Sequence, residues 1–114
     1  MWFVFPQIAG LGQSAMSRRY AIASLHEAEE YLRHPILGPR LIECTRVLLG
    51  LQGLSAEQIL GTIDAVKLRS SMTLFTRADP SNALFTRTLE RYFGGTMDAA
   101  TLRRLVQLAQ EADH

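Results

Sequence analysis

Beyond residue 23 the apolar positions of this chain recur every three or four residues, the spacing that lines one face of a helix turning about 100° per residue. The stretch "SLHEAEEYLRH" opens on a capping-box pattern, Ser24 with Glu27 three residues on, and Pro35 closes it. In "GPRLIECTRVLLGLQG", Pro39 suits a first helical position. Leu41, Cys44, Leu48 and Leu51 share a face, and Gly53 ends the run. "SAEQILG" repeats the capping box with Ser55 and Gln58.

"TIDAVKLRSSMTLFTRA" is apolar on two sides. Ile63, Val66 and Leu74 fall on one, and Leu68, Met72 and Phe75 on nearly the opposite one, which predicts a central helix over about 63–77, sandwiched between its neighbours. "DPSNALFTRTLERYFGG" has Asp79 as the expected N-cap and Pro80 at N1. Its stripe is Leu84, Phe85, Leu89 and Tyr92, and Gly94 and Gly95 end it. Asp98 then caps a last helix with Leu102, Leu105, Val106 and Ala109 facing in. The reading is an all-α, single-domain irregular bundle of five or six helices over residues 1–114.

The beginning is different. "MWFVFPQIAGLGQS" starts without a polar lead-in, and "WFVFPQI" is strand-like but has no obvious strand partner. An extended or short helical piece tucked into the core is expected, followed by a glycine loop and a short helix capped by Ser14.

Composition narrows the classes. The chain has 114 residues, 47% apolar and 20% charged, the balance of a globular domain rather than a disordered one. A net charge of +1 gives no steering toward nucleic acid or a membrane surface, and neither is expected as a partner. Cys44, the single cysteine, rules out an internal disulfide and fits a buried, unreactive thiol. The opening run lacks a basic lead and is too short to span a bilayer, so a cytoplasmic location is expected.

Two stretches carry candidate chemistry. In "AGLGQS", Gly10 and Gly12 permit close backbone approach, and Ser14 precedes free N–H groups at a helix start, a setting that attracts anions. The pattern is not a complete phosphate-loop or dinucleotide fingerprint, and no cofactor is expected. A plain structural turn is the competing reading.

On the central helix, Asp64, Lys67 and Ser71 form a stripe between the two apolar faces. Lys67 and Ser71 are one turn apart, which permits a lysine–hydroxyl pair of the kind used in nucleophilic catalysis. An Asp64–Lys67 ion pair with Ser71 bonded back to a carbonyl explains the same residues without chemistry. Ser70, on the face of Ile63 and Val66, is either a small residue at a tight crossing or a ligand contact. His26, His34 and His114 lack ligand spacing, and no metal site is expected.

The ordered set "MWFVFPQIAGLGQS", "YAI", "EYLRHPILGPRL", "KLRSSMTLF" and "RYFGG" resembles a bacterial family catalogued as domain of unknown function 1810, sometimes labelled calpastatin. The resemblance runs over nearly the whole chain and implies a mainly helical fold. It transfers no activity, and no residue here supports the calpain inhibition that the label would imply.

Family members carry a further amphipathic helix ahead of this region. Met1 is therefore expected to be an internal methionine, with Trp2, Phe3 and Phe5 left as an apolar patch open to self-association. Three functions follow as expectations. The first is non-catalytic binding of a small anionic or nucleotide-like ligand near Gly10, Gly12, Ser14, Lys67, Ser70 and Ser71. The second is an enzyme using Lys67 with Asp64, Ser70 or Ser71. The third is a protein-interaction module working through the N-terminal surface.

A version extended by the family's first helix is predicted to melt at a higher temperature and more cooperatively than these 114 residues. Equal melting of the two lengths would contradict the expectation.

Overall fold

The structure is a computed structural model and describes residues 5–8, 11 and 21–112. Six helices follow one another: α1 (Leu25–Arg33), α2 (Leu37–Gly50), α3 (Ala56–Leu60), α4 (Thr62–Ala78), α5 (Ala83–Phe93) and α6 (Ala99–Ala112). The radius of gyration is 13.4 Å, close to the ~13 Å of one compact unit of this size.

The helix ends follow from local chemistry. The Glu27 N–H donates to Ser24 Oγ (3.1 Å), while the Glu27 carboxylate accepts from the Ala23 N–H rather than that of Ser24, so the box at α1 closes one residue early. At α3 both bonds of the Ser55–Gln58 box form, at 2.7 and 3.1 Å. Asp98 caps α6, accepting from the Thr101 N–H and hydroxyl at 2.9 and 2.6 Å.

Two expected starts are displaced. Asp79 ends α4 instead of starting α5, whose N-cap is Asn82, accepting from the Leu84 N–H at 3.0 Å. The α4 ladder runs on to the Asp79 N–H, which bonds Phe75 (2.9 Å), so Asp79 is already taken. Pro39 lies third in α2, still in the first turn, where a missing N–H is harmless. The cap there is His34, whose Nδ1 accepts from the Ile36 and Leu37 N–H groups, both at 3.1 Å.

The α1–α2 corner depends on Gly38. A Cβ there would stand 2.1 Å from the Leu32 carbonyl oxygen, a backbone atom that cannot swing aside.

Helix α4 organises the rest and packs against α1, α3, α5 and α6. Every residue from Ser70 to Thr76 is buried, so this half of the helix has neighbours all round. Phe75 links three helices: its ring centroid is 5.5 Å from Tyr31 of α1 and 5.7 Å from Phe85 of α5. Leu41, Leu48, Leu68, Met72, Leu74 and Leu89 complete the centre of the core. Burial also pushes the half-buried Tyr31 phenol above its ordinary pKa, and the nearby Arg40 guanidinium works against this.

Polar groups stitch the layers together. The Arg69 guanidinium donates to the Thr96 and Met97 carbonyls (3.0 and 3.3 Å), and the Thr73 hydroxyl accepts from the Asp98 N–H (2.9 Å). Together they tie the approach to α6 onto α4. Arg91 and Tyr92 of α5 donate to the Leu51 and Leu48 carbonyls at the end of α2, and the Leu48 carbonyl also accepts from the Leu51 N–H.

Three expectations fail on burial. Ile63 and Val66 are 73% and 57% exposed, so the two-sided packing of α4 holds for its second half only. In α6 the buried residue is Thr101, with Leu105 and Leu108 against the core. Val106 and Ala109 face out, because the Arg69–Thr73–Asp98 anchor sets the roll of this helix.

Phe5 is only 6% exposed, which removes it from the expected N-terminal patch. The segment Phe5–Ile8 is buried throughout, and it has a partner: the Ile22 N–H donates to the Gln7 carbonyl (2.7 Å) in a single parallel bridge pairing Ile8 with Ile22. Trp2 and Phe3 lie outside the described residues. Cys44 is partly buried rather than sealed in.

Gly38→Ala is predicted to destabilise the fold by about 2 kcal/mol through overpacking, lowering the melting temperature by roughly 8 °C. An unchanged melting curve would show that the corner has room the structure denies it.

Candidate functional site

The exposed first half of α4 borders a hollow of about 330 Å³ lined by Gln7, Leu11, Thr62, Ile63, Val66 and Lys67. Two pieces of chain make it. One is the buried opening segment, held by the Gln7–Ile22 bridge. The other is the first turn and a half of α4, whose start is set by Gly61 at φ 85°, ψ 162°. A residue with a Cβ is strained at that φ, so glycine lets α4 begin directly after α3.

Gly61 offers no side-chain cap. The N-terminal amides of a 17-residue helix therefore stand beside the hollow, with the positive end of its dipole.

Among the described residues that line the hollow, Lys67 is the cation. Its side chain is 18% exposed, and Nζ lies 3.7 Å from Asp64 Oδ1, the ion pair that the spacing on the helix allowed. Gln7 is 8% exposed, and its backbone carbonyl accepts from the Ile22 N–H. The remaining walls are the apolar Leu11, Ile63 and Val66, with Thr62 at the helix start. Around an apolar floor the arrangement sets the Lys67 ammonium, paired with Asp64, the Gln7 residue and a helix start without a side-chain cap.

The sequence-predicted site residues divide into three groups. Lys67 lines the hollow, with Asp64 beside it. Ser70 and Ser71 lie one turn deeper and are buried. The Ser70 hydroxyl donates back to the Val66 carbonyl (3.2 Å), the helix-internal bond expected for Ser71. Ser71 Oγ has no hydrogen-bond partner, so no lysine–hydroxyl pair forms with Lys67. Nothing described around Ser71 explains an unmet buried hydroxyl. Gly10, Gly12 and Ser14 lie outside the described residues, although their neighbours Gln7 and Leu11 are at the hollow.

Sequence reasoning missed Gln7, Thr62 and the role of Ile63 and Val66 as open walls. A glutamine inside the apolar run "FVFPQI" was the available signal, since an amide in a buried segment needs a partner.

Other recesses carry less chemistry. One of about 410 Å³ beside α6 is lined by apolar side chains and Arg77, and one of about 320 Å³ lies between Glu29, Arg33 and Asp79. Among the described residues no group of three or more His, Cys, Asp or Glu could hold a metal ion, and no helix is long and apolar enough to cross a membrane.

A family model described as "Protein of unknown function (DUF1810)" matches residues 1–105. The crystal structure of a conserved hypothetical protein from Mycobacterium tuberculosis is similar at 51% sequence identity and a TM-score of 0.90, over 92% of this chain and 75% of that one. No curated protein matches the chain. The fold is thus shared with a relative of known structure, and this chain belongs to the domain of unknown function 1810 family.

Proposed function

We propose that the chain is a non-catalytic binding domain for a small anionic or nucleotide-like ligand, seated in the hollow that Gln7 and Leu11 form with the first turns of α4. The observation that carries this reading is the position of Lys67: a side chain only 18% exposed, on the wall of a concave, mostly apolar space near a helix N-terminus without a side-chain cap. An ammonium donates along three directions, so pairing with Asp64 is compatible with contact to a ligand anion.

Binding is favoured over catalysis by Lys67 because the hydroxyls nearest in sequence are engaged or buried. Ser70 bonds the helix backbone, and Ser71 is enclosed without a bond to the lysine. A nucleophile and its base need to be within hydrogen-bond reach.

The test is a thermal-shift screen against a metabolite library, run on the wild type, Lys67→Met and Val66→Glu. Position 66 is exposed, so a glutamate there is tolerated by the fold while it places a negative charge at the hollow. At a hundred times its Kd a ligand adds about 2.7 kcal/mol of stability, which raises the melting temperature by roughly 10 °C. The account predicts a stabilising anion whose effect is lost in both variants. Stabilisation that persists in both, or no stabilising compound at all, would contradict it.

A further inference from the structure

We infer that the open face between α1 and α6 is a docking groove for an amphipathic helix of another protein that carries carboxylates beside its apolar stripe. No described residue is shared with the hollow at the start of α4, so the two assignments stand or fall separately.

The shape of the face comes from the anchoring of α6. Leu105 and Leu108 pack against the core, while Val106 is left 57% exposed. Two recesses open along this side. One, of about 410 Å³, has Leu25, Leu102, Leu105, Val106 and Ala109 on its walls, with Arg77. The other, of about 220 Å³, is lined by Ser24, Leu25, His26, Leu105, Leu108 and Ala109. They share Leu25, Leu105 and Ala109, so they adjoin, with the start of α1 on one side and α6 on the other.

The spacing selects a helix. Leu102, Val106 and Ala109 stand at i, i+4 and i+7, a row of about two helical turns. Both walls are helices, whose backbone groups bond internally, so they offer no edge to a strand. An apolar row of this kind takes the side-chain ridge of another helix between its own.

Charge selects which helix. Arg77 is exposed on the groove wall, and Arg103, also exposed, lies three residues before Val106 and so beside it on the surface of α6. Neither guanidinium has a hydrogen bond or ion pair among the described residues. No described residue lining either recess is acidic. Carboxylates on the incoming helix meet these two cations at the rim, where opposite charge speeds encounter and fixes orientation. A second copy presenting the same side of α6 brings arginines to that rim instead, which disfavours self-pairing there.

The experiment selects displayed peptides of about 15 residues, with leucine at i, i+4 and i+7 and every other position random, on the 114-residue chain. Enriched peptides are then titrated by fluorescence anisotropy against wild type, Val106→Asp and Arg77→Glu. Both positions are exposed, so both variants are expected to melt close to wild type. The enriched peptides are expected to carry Asp or Glu beside the leucines. Val106→Asp and Arg77→Glu each weaken them about tenfold or more, the share of one anchor. Replacing the peptide's glutamates by lysines is expected to abolish binding to wild type and restore it to Arg77→Glu, a reversal that loss of folding cannot produce.

Three results would overturn the inference. One is an empty selection, and another is enriched peptides without acidic preference or indifferent to both substitutions. The third is wild-type dimerisation in sedimentation that Val106→Asp abolishes, which would give the groove to a second copy.

Discussion

The fold depends on the burial of seven consecutive residues of one helix, Ser70–Thr76. A helix buries successive residues only when neighbours approach from every side, and here α1, α5 and α6 do so around the Phe75 and Met72 level. The Tyr31–Phe75–Phe85 ring series runs through this level, and truncating a ring of that kind typically costs 3–5 kcal/mol. Of the four hydroxyls in the run, those of Ser71 and Thr76 have no partner and the other two are satisfied within the helix. Ser70 and Thr73 bond the carbonyls four residues earlier, and Thr73 also receives the Asp98 N–H that anchors α6.

The same constraint leaves the other half of α4 open. With its second half held from all sides and its start set directly after α3 by Gly61, residues 62–67 run out of the bundle with one flank wet. Ile63 and Val66 are then apolar side chains without a protein layer over them. The buried opening segment closes one side, with Gln7 pinned by the bridge to Ile22. A concave space with a lysine on its wall follows from where the core stops.

The sequence was most legible where chemistry is local. Both Ser caps, the Asp98 cap, the glycine end of α5 and the six helices follow from side chains reaching a few residues along the chain. Periodicity was weaker at deciding which apolar face is covered. Leu68, Met72 and Phe75 are buried as their spacing implied, whereas Ile63, Val66 and Val106 have equal hydrophobicity and remain outside. That difference is set by long-range anchors such as Arg69 to Thr96 and Met97, which no short window contains. Lys67 and Asp64 were visible as a pair on one helix. Gln7 and Leu11 join them only through tertiary pairing, more than fifty residues away in sequence.

Native-state hydrogen exchange along α4 tests the central claim most directly, because it reads the opening free energy of each turn of one helix. The account predicts that the amides of Met72–Thr76 exchange only with global unfolding, while those of Val66 and Lys67 exchange through a smaller opening and slow markedly when a ligand fills the hollow. Equal protection along the whole helix would mean that its first turns are wrapped like the rest, and would contradict both the open flank and the site built on it.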